Sequence, residues 1–204
     1  MYSKLFIALI FIIIFTGCSS INDIPVENSS FSQTINARNK QVLALNHWTI
    51  SGKIAFINNK QRQSATLYWQ NNEIQQTEVL NLSTVLGIKV LELKRDKNNF
   101  TLDVDGKNYQ TQALDDLIYH LTNLNLPTRA MSHWLKGLSY LPSDKITYND
   151  ETQLPETLTS QYNNKTWQVD YSKYHYIKSF QLAKQLTITQ GELRIKIIIH
   201  SWKI

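Results

Sequence analysis

The chain has one cysteine, Cys18. It therefore cannot form an internal disulfide or a cysteine-based zinc site. Only 6 of its 204 residues are glycine and 4 are proline, which excludes collagen-like and linker-like chains. Charged residues make up 18% against 42% hydrophobic residues, a balance that excludes intrinsic disorder. The formal net charge is +5, with one of the positive charges, Lys4, in the first segment. No run of five Lys or Arg occurs, so the basic footprint of a nucleic-acid-binding protein is missing. The length suits one globular domain and is too short for an eight-fold α/β barrel.

Catalytic motifs are missing too. Gly-x-Ser-x-Gly does not occur, so no nucleophile elbow is indicated. Ser51-Gly52-Lys53 lacks the preceding glycine of a phosphate loop. His47, His120, His133, His175 and His200 show no His-x-His or His-x-x-x-His spacing, so no metal site is expected. Asp115 and Asp116 open a helical pattern, where negative charge suits the helix dipole. Asp103 and Asp105 lie on the polar side of a strand pattern.

The start of the chain carries a strong signal. After Lys4, Leu5 to Phe15 is an unbroken apolar run, too short for a finished membrane span and right for a signal peptide. The run ends at Phe15-Thr16-Gly17-Cys18, small residues before a cysteine, as lipoprotein signal peptidase requires. Residues 1–17 are expected to be the cleaved signal peptide. Cys18 is expected to carry S-diacylglycerol and an N-acyl chain. Two or three acyl chains, at about 0.8 kcal/mol per buried CH2, hold a protein on a membrane. Residues 18–33 are expected to form the lipidated cysteine and a polar, flexible tether, and residues 34–204 the folded domain. Ser19 follows the cysteine; in Gram-negative lipoproteins Asp there favours inner-membrane retention, so Ser implies the outer membrane.

Within the domain the hydrophobic period changes several times. Residues 36–46 read as a short amphipathic helix. Alternation then predicts strands over 47–57, 64–70, 74–82, 88–95 and 100–104, with Asp105-Gly106 turning into 107–111. Leu114, Leu117, Ile118 and Leu121 have helical spacing, and a second helix runs from Thr128 to Lys136 and stops at Gly137. Strands are expected again over 157–162, 166–171, 185–189 and 193–201. Hairpins dominate and no βαβ alternation occurs. The expected fold is mainly β: a large curved antiparallel sheet with helices covering one face. The five tryptophans, 48, 69, 134, 167 and 202, suit a ligand cavity or a plain core, and composition does not separate the two.

Several ordered motifs carry a resemblance. They are Trp48-x-x-x-Gly52-Lys53-Ile54-Ala55, Tyr68-Trp69-Gln70, Leu86-Gly87 and Trp134-Leu135-Lys136-Gly137-Leu138. Trp167-Gln168-Val169-x-Tyr171-x-x-Tyr174 and Leu193-Arg194-Ile195-Lys196 with Trp202 complete the series. With the lipoprotein cysteine, this order resembles the LolB family of outer-membrane lipoproteins over essentially the whole mature chain. The resemblance implies an incomplete antiparallel β-barrel with helices covering an apolar cavity. It implies a monomer that accepts lipoproteins from a LolA-type periplasmic carrier. That monomer holds their acyl chains and inserts them into the outer membrane without cofactor, metal or catalysis. It also implies that a protruding loop carries an exposed leucine for insertion. The matching residue is Leu86, in Val85-Leu86-Gly87 where the family has Pro-Leu-Gly. By alternation, the acyl-facing surface is expected from Trp48, Ile50, Ile54, Leu67, Trp69, Leu102 and Leu117. Two other readings stay open: an envelope scaffold of the same fold, and a lipid-processing enzyme.

Overall fold

The computed structural model describes residues 34–104, 106–122 and 126–204. The expected signal peptide and tether, Cys18 among them, lie outside the described residues, as does Asp105 of the expected turn. The order is α1 (Ile35–Leu43), β1 (His47–Ile57), β2 (Arg62–Asn72), β3 (Thr77–Ser83), β4 (Lys89–Asp96), β5 (Asn99–Val104) and β6 (Lys107–Thr111). Then come α2 (Leu114–Thr122), α3 (Thr128–Trp134), β7 (Lys145–Tyr148), β8 (Pro155–Tyr162), β9 (Lys165–Ile177), β10 (Phe180–Gln190) and β11 (Leu193–Lys203).

All eleven strands form one antiparallel sheet, in the order β6-β5-β4-β3-β2-β1-β11-β10-β9-β8-β7. The chain's first and last strands meet at its centre, and β6 and β7 are free edges, so the barrel is incomplete. Strand alternation sets the inner face. In β1 the inward positions are Trp48, Ile50, Gly52, Ile54 and Phe56, all buried. Leu67 and Trp69 in β2, Leu80 and Leu82 in β3, and Leu91 and Leu93 in β4 continue that face. Ile195, Ile197 and Ile199 in β11 complete it beside β1. Burying each such side chain contributes roughly 1.5–3 kcal/mol.

The centre of the sheet has one tight place. Gly52 faces β11 where the pairing skips His200: Ser51 pairs with Ser201 and Gly52 with Ile199. A Cβ on Gly52 would sit 2.1 Å from the Ile198 carbonyl oxygen. The bulge brings two backbones together, and only glycine leaves room.

Several elements differ from the sequence expectation. The strand expected from Ile74 begins at Thr77, because Glu73–Gln76 form a turn. The Asn72 side chain accepts from the Gln75 amide at 3.0 Å, and Gln76 adopts φ +54°. Strands β9 and β10 run well past Tyr171 and before Gln185, through Tyr174-His175-Tyr176, where polar aromatic residues blur the alternation. The four-residue β7 is too short to leave a periodic signal.

Two buried cations fasten the helices to the sheet. Arg38 lies inside α1 and is 1% exposed. Its guanidinium donates to the carbonyls of Lys136 (2.8 Å), Gly137 (3.1 Å) and Gln181 (3.4 Å), tying α1 to the end of α3 and to β10. Burial pulls its pKa below the ordinary value. Lys136 in turn donates to Glu73 at 2.6 Å and to the Leu45 carbonyl at 3.4 Å. Gly137, at φ +68°, closes α3: its amide reaches the Trp134 carbonyl and the Leu138 amide the His133 carbonyl, the Schellman pattern. The segment Trp134-Leu135-Lys136-Gly137-Leu138 is thus a helix stop clamped from both sides.

Two stability outcomes are expected. Gly52→Ala forces the β1–β11 backbones apart and should lower stability by at least about 1–3 kcal/mol, read from denaturant midpoints. Arg38→Met leaves three buried carbonyls without their donor and should cost about 3 kcal/mol in the same measurement.

Candidate functional site

The concave face is covered by α2 and α3, which cross from the β6 edge towards β7. Helix α2 turns Leu114 and Ile118 fully inward, with Leu117 and Leu121 partly buried against the core. Its first turn is held by Asp115. That carboxylate accepts from the Thr128 hydroxyl (2.7 Å), the Tyr162 hydroxyl (2.7 Å) and the Asn163 amide (3.2 Å), joining α2 to α3 and to the β8–β9 turn. Burial and the Asp115 carboxylate push the Tyr162 pKa up, so the phenol stays protonated and donating.

Beneath this cover lie two aromatic groups. Trp48 packs edge-on to Trp69 at 5.4 Å and against Trp202 at 5.7 Å. Trp134 packs against Trp167 at 6.0 Å and Tyr162 at 6.3 Å. The first group fills the concave face under β1, β2 and β11, and the second lies between α3 and β8–β9.

The two ends of the sheet differ chemically. At one end a pocket of about 280 Å³ is walled by Phe56, Ala65, Leu82, Leu91 and Val104, with Leu121 and Leu126 above it. Its polar residues, Gln61, Gln63 and Ser64, come from the β1–β2 hairpin. At the opposite end a cavity of about 330 Å³ is lined by Asn71, Glu78, Arg95, Arg129, Ser132 and His133 among others. There the Trp69 indole donates to Glu78 at 2.8 Å, and Arg95 lies 3.5 Å from the same carboxylate. Burial raises the Glu78 pKa despite both partners, and burial lowers that of His133. One end therefore suits hydrocarbon and the other does not.

The loop beside the apolar pocket, between β3 and β4, points its apolar residues outward. Val85 is 92% exposed, Leu86 87% and Ile88 63%. The loop is nonetheless ordered by Thr84. Its amide donates to the Ile88 carbonyl (2.8 Å), its carbonyl accepts from Gly87 (2.9 Å), and its hydroxyl accepts from Ile88 (3.2 Å). Gly87 supplies the φ of +82° that the turn needs. These hydrogen bonds hold the tip at Val85 and Leu86. Three exposed apolar side chains within four residues are a poor choice for a soluble turn.

The structure places the residues expected from the sequence as follows. Trp48, Ile50, Ile54, Leu67, Trp69 and Leu102 all lie on the concave face and are buried; Leu117 is partly buried on α2. They are packed core. The open pocket is walled by other residues at the end of the same stripe, where Phe56 continues Trp48, Ile50 and Ile54, and Val104 continues Leu102. Extending the alternation by one step would have reached them. Arg38, Lys136 and Glu78 left no such signal, because a charged residue is expected outside. Among the described residues no cluster of His, Asp or Glu could hold a metal, and no helix is long and apolar enough to cross a membrane.

An open antiparallel half-barrel with an apolar, helix-covered concave face defines the fold class. The solved structures agree on the fold. A LolA superfamily protein from Nitrosomonas europaea superimposes with a TM-score of 0.55 over 84% of this chain and 94% of its own, at 5% identity. Residues 46–202 match the family model "Outer membrane lipoprotein LolB", and the chain belongs to that family. The outer-membrane lipoprotein LolB of Aeromonas salmonicida is 32% identical over 161 residues, covering 78% of each chain. That of Tolumonas auensis is 28% identical over 201 residues, covering 97% of this chain and 96% of its own.

The Glu78 environment yields a pH outcome. A carboxyl whose folded pKa lies above its unfolded value binds its proton more tightly when folded. Its contribution is complete below the ordinary value of 4.5 and is lost as pH rises through the folded pKa. Glu78→Gln should remove this part of the pH dependence. Thermal melts should show the variant gaining on the parent as pH rises from acid to neutral.

Proposed function

We propose that this protein is a lipid-anchored receptor on the periplasmic side of the outer membrane of a Gram-negative bacterium. It takes lipoproteins from a LolA-type soluble carrier and inserts them into that membrane. Membership of the LolB family supports this reading, and one structural observation carries it: the apolar pocket and the exposed apolar loop occupy the same end of the sheet. Acyl chains are received at that mouth, and Leu86 meets the bilayer there.

A pocket of about 280 Å³ lies below the usual range of about 300–1,000 Å³ for small-molecule sites. Several acyl chains therefore enter by displacing side chains. Leu117, Leu121 and Leu126 on the cover give way, and the chains come to rest on the surface now filled by Ile54, Leu67, Leu102 and, deeper, Trp48, Ile50 and Trp69. Apolar contacts are exchanged for apolar contacts, so the exchange costs little. Each CH2 sheltered is worth about 0.8 kcal/mol, which makes free passage through water prohibitive and the bilayer the final sink. No bond is made or broken, so the proposal calls for no catalytic residue, metal or cofactor. The only lipid carried covalently is that on Cys18, which keeps the receptor at its membrane. One copy suffices, since both pocket and tip come from one chain.

The test is transfer of a labelled lipoprotein. A carrier loaded with it is mixed with the protein without nucleotide, and the label is followed by cross-linking. Movement of the label to this chain is expected. Retention on a competent carrier would leave a scaffold that shares only the fold. Leu86→Glu should change thermal stability by no more than about 0.5 kcal/mol, as surface substitutions do, while abolishing insertion. Replacing residues 1–18 by a signal peptide that is cleaved without lipidation should shift the protein from the membrane to the soluble periplasmic fraction.

A further inference from the structure

Leu86 does not stand alone at its end of the sheet. The strand registers place the Leu86 loop and three neighbouring turns on one rim, with the β8–β9 turn further along it, since Thr189 pairs with Gln168 and Tyr162 with Lys165. Ile57 pairs with both Arg62 and Arg194, so the β1–β2 and β10–β11 tips emerge together. Ser83 pairs with Lys89, which puts the Leu86 loop on the same side. Leu91 pairs with Val104 and Val104 with Lys107, which adds the β5–β6 tip. Lys60, Arg62, Lys107 and Arg194 are exposed on these tips, and none of them is ion-paired among the described residues. On the acidic side, Asp103 is neutralised by Lys89 at 2.8 Å, and Glu192 stands in the β10–β11 turn.

We propose that this rim is a docking surface for an anionic phospholipid bilayer, with Lys60, Arg62 and Lys107 binding lipid phosphates on either side of the inserted tip of Val85, Leu86 and Ile88. The inference rests on the insertion role of Leu86 and adds the lipid class and the residues that select it. Two features favour a bilayer over an acidic protein. The tip presents aliphatic side chains that need hydrocarbon, as in an interfacial anchor. The cations flank it on long stems that reach headgroups while the apolar centre sinks. Charge and apolar tip then act on the same surface. A burial worth one or two aliphatic side chains touches a membrane but does not fix an orientation. Headgroup contacts on neighbouring hairpins would hold the pocket mouth downward over the bilayer. Each Lys or Arg near an anionic surface is worth about 1 kcal/mol, or a factor of about five.

The experiment uses the full-length lipidated protein in phosphatidylcholine vesicles with or without phosphatidylglycerol. A loaded carrier supplies a labelled lipoprotein. Insertion and cross-linked acceptance are measured separately, at low and high salt. Phosphatidylglycerol should speed insertion by the parent, and salt should remove the gain. The triple variant Lys60→Gln, Arg62→Gln, Lys107→Gln should lose roughly a hundred-fold in insertion on anionic vesicles, three factors of about five. It should match the parent on neutral ones and accept lipoprotein normally. Indifference of the parent to phosphatidylglycerol overturns the inference. So does a triple variant whose acceptance falls instead, because the cations would then be docking the carrier. Leu86→Glu reads the underlying role separately: normal insertion by that variant on neutral vesicles would defeat the insertion role itself, whatever the charged residues do.

Discussion

An eleven-stranded sheet that does not close leaves an apolar concave face that water must not reach. The rest of the molecule follows from that constraint. The sheet curls around its inner side chains, its two edges stay apart, and α2 and α3 lie across the gap. A closed barrel would have no gap between edges for helices to cover. A flat sheet would need more cover than three short helices provide. The half-barrel keeps its core dry by means of that cover.

The cover is held by polar contacts of two kinds. Deep ones, Arg38 on three carbonyls and Lys136 on Glu73, fasten α1 and the end of α3 to the sheet. These groups have been withdrawn from water, so breaking them strands a buried charge or carbonyl. The second kind gathers on Asp115: its three hydrogen bonds, two of them from the buried Thr128 and Tyr162 hydroxyls, fasten the start of α2 to α3 and to the β8–β9 turn.

The ends of the half-barrel are equally unequal. Hydrocarbon walls and an outward apolar tip stand at one end, and Glu78, Arg95 and His133 at the other. Under the proposed function, an acyl chain on the concave face would meet buried polar groups in one direction and the apolar mouth in the other, so its delivery would be directional, with only one exit free of a desolvation penalty.

Much of this was legible in the sequence, for physical reasons. Period-two alternation makes Trp48, Ile50, Ile54 and Phe56 share a face whatever surrounds them, and Gly137 after a helical run ends a helix through its φ alone. Local chemistry of this kind determined the antiparallel sheet, the short helices and the inner stripe. Alternation could not say where along the stripe packing leaves space, and the open pocket lies past the expected residues, at Phe56, Leu82 and Leu91. It could not show that Arg38 and Lys136 are buried, since their partners are carbonyls and a carboxylate distant in the chain. Nor could it show that Leu86 points out, because an isolated leucine beside glycine suits a core as well as a tip. Those matters depend on what lies opposite each side chain, and only the folded sheet, with its first and last strands paired at the centre, decided them.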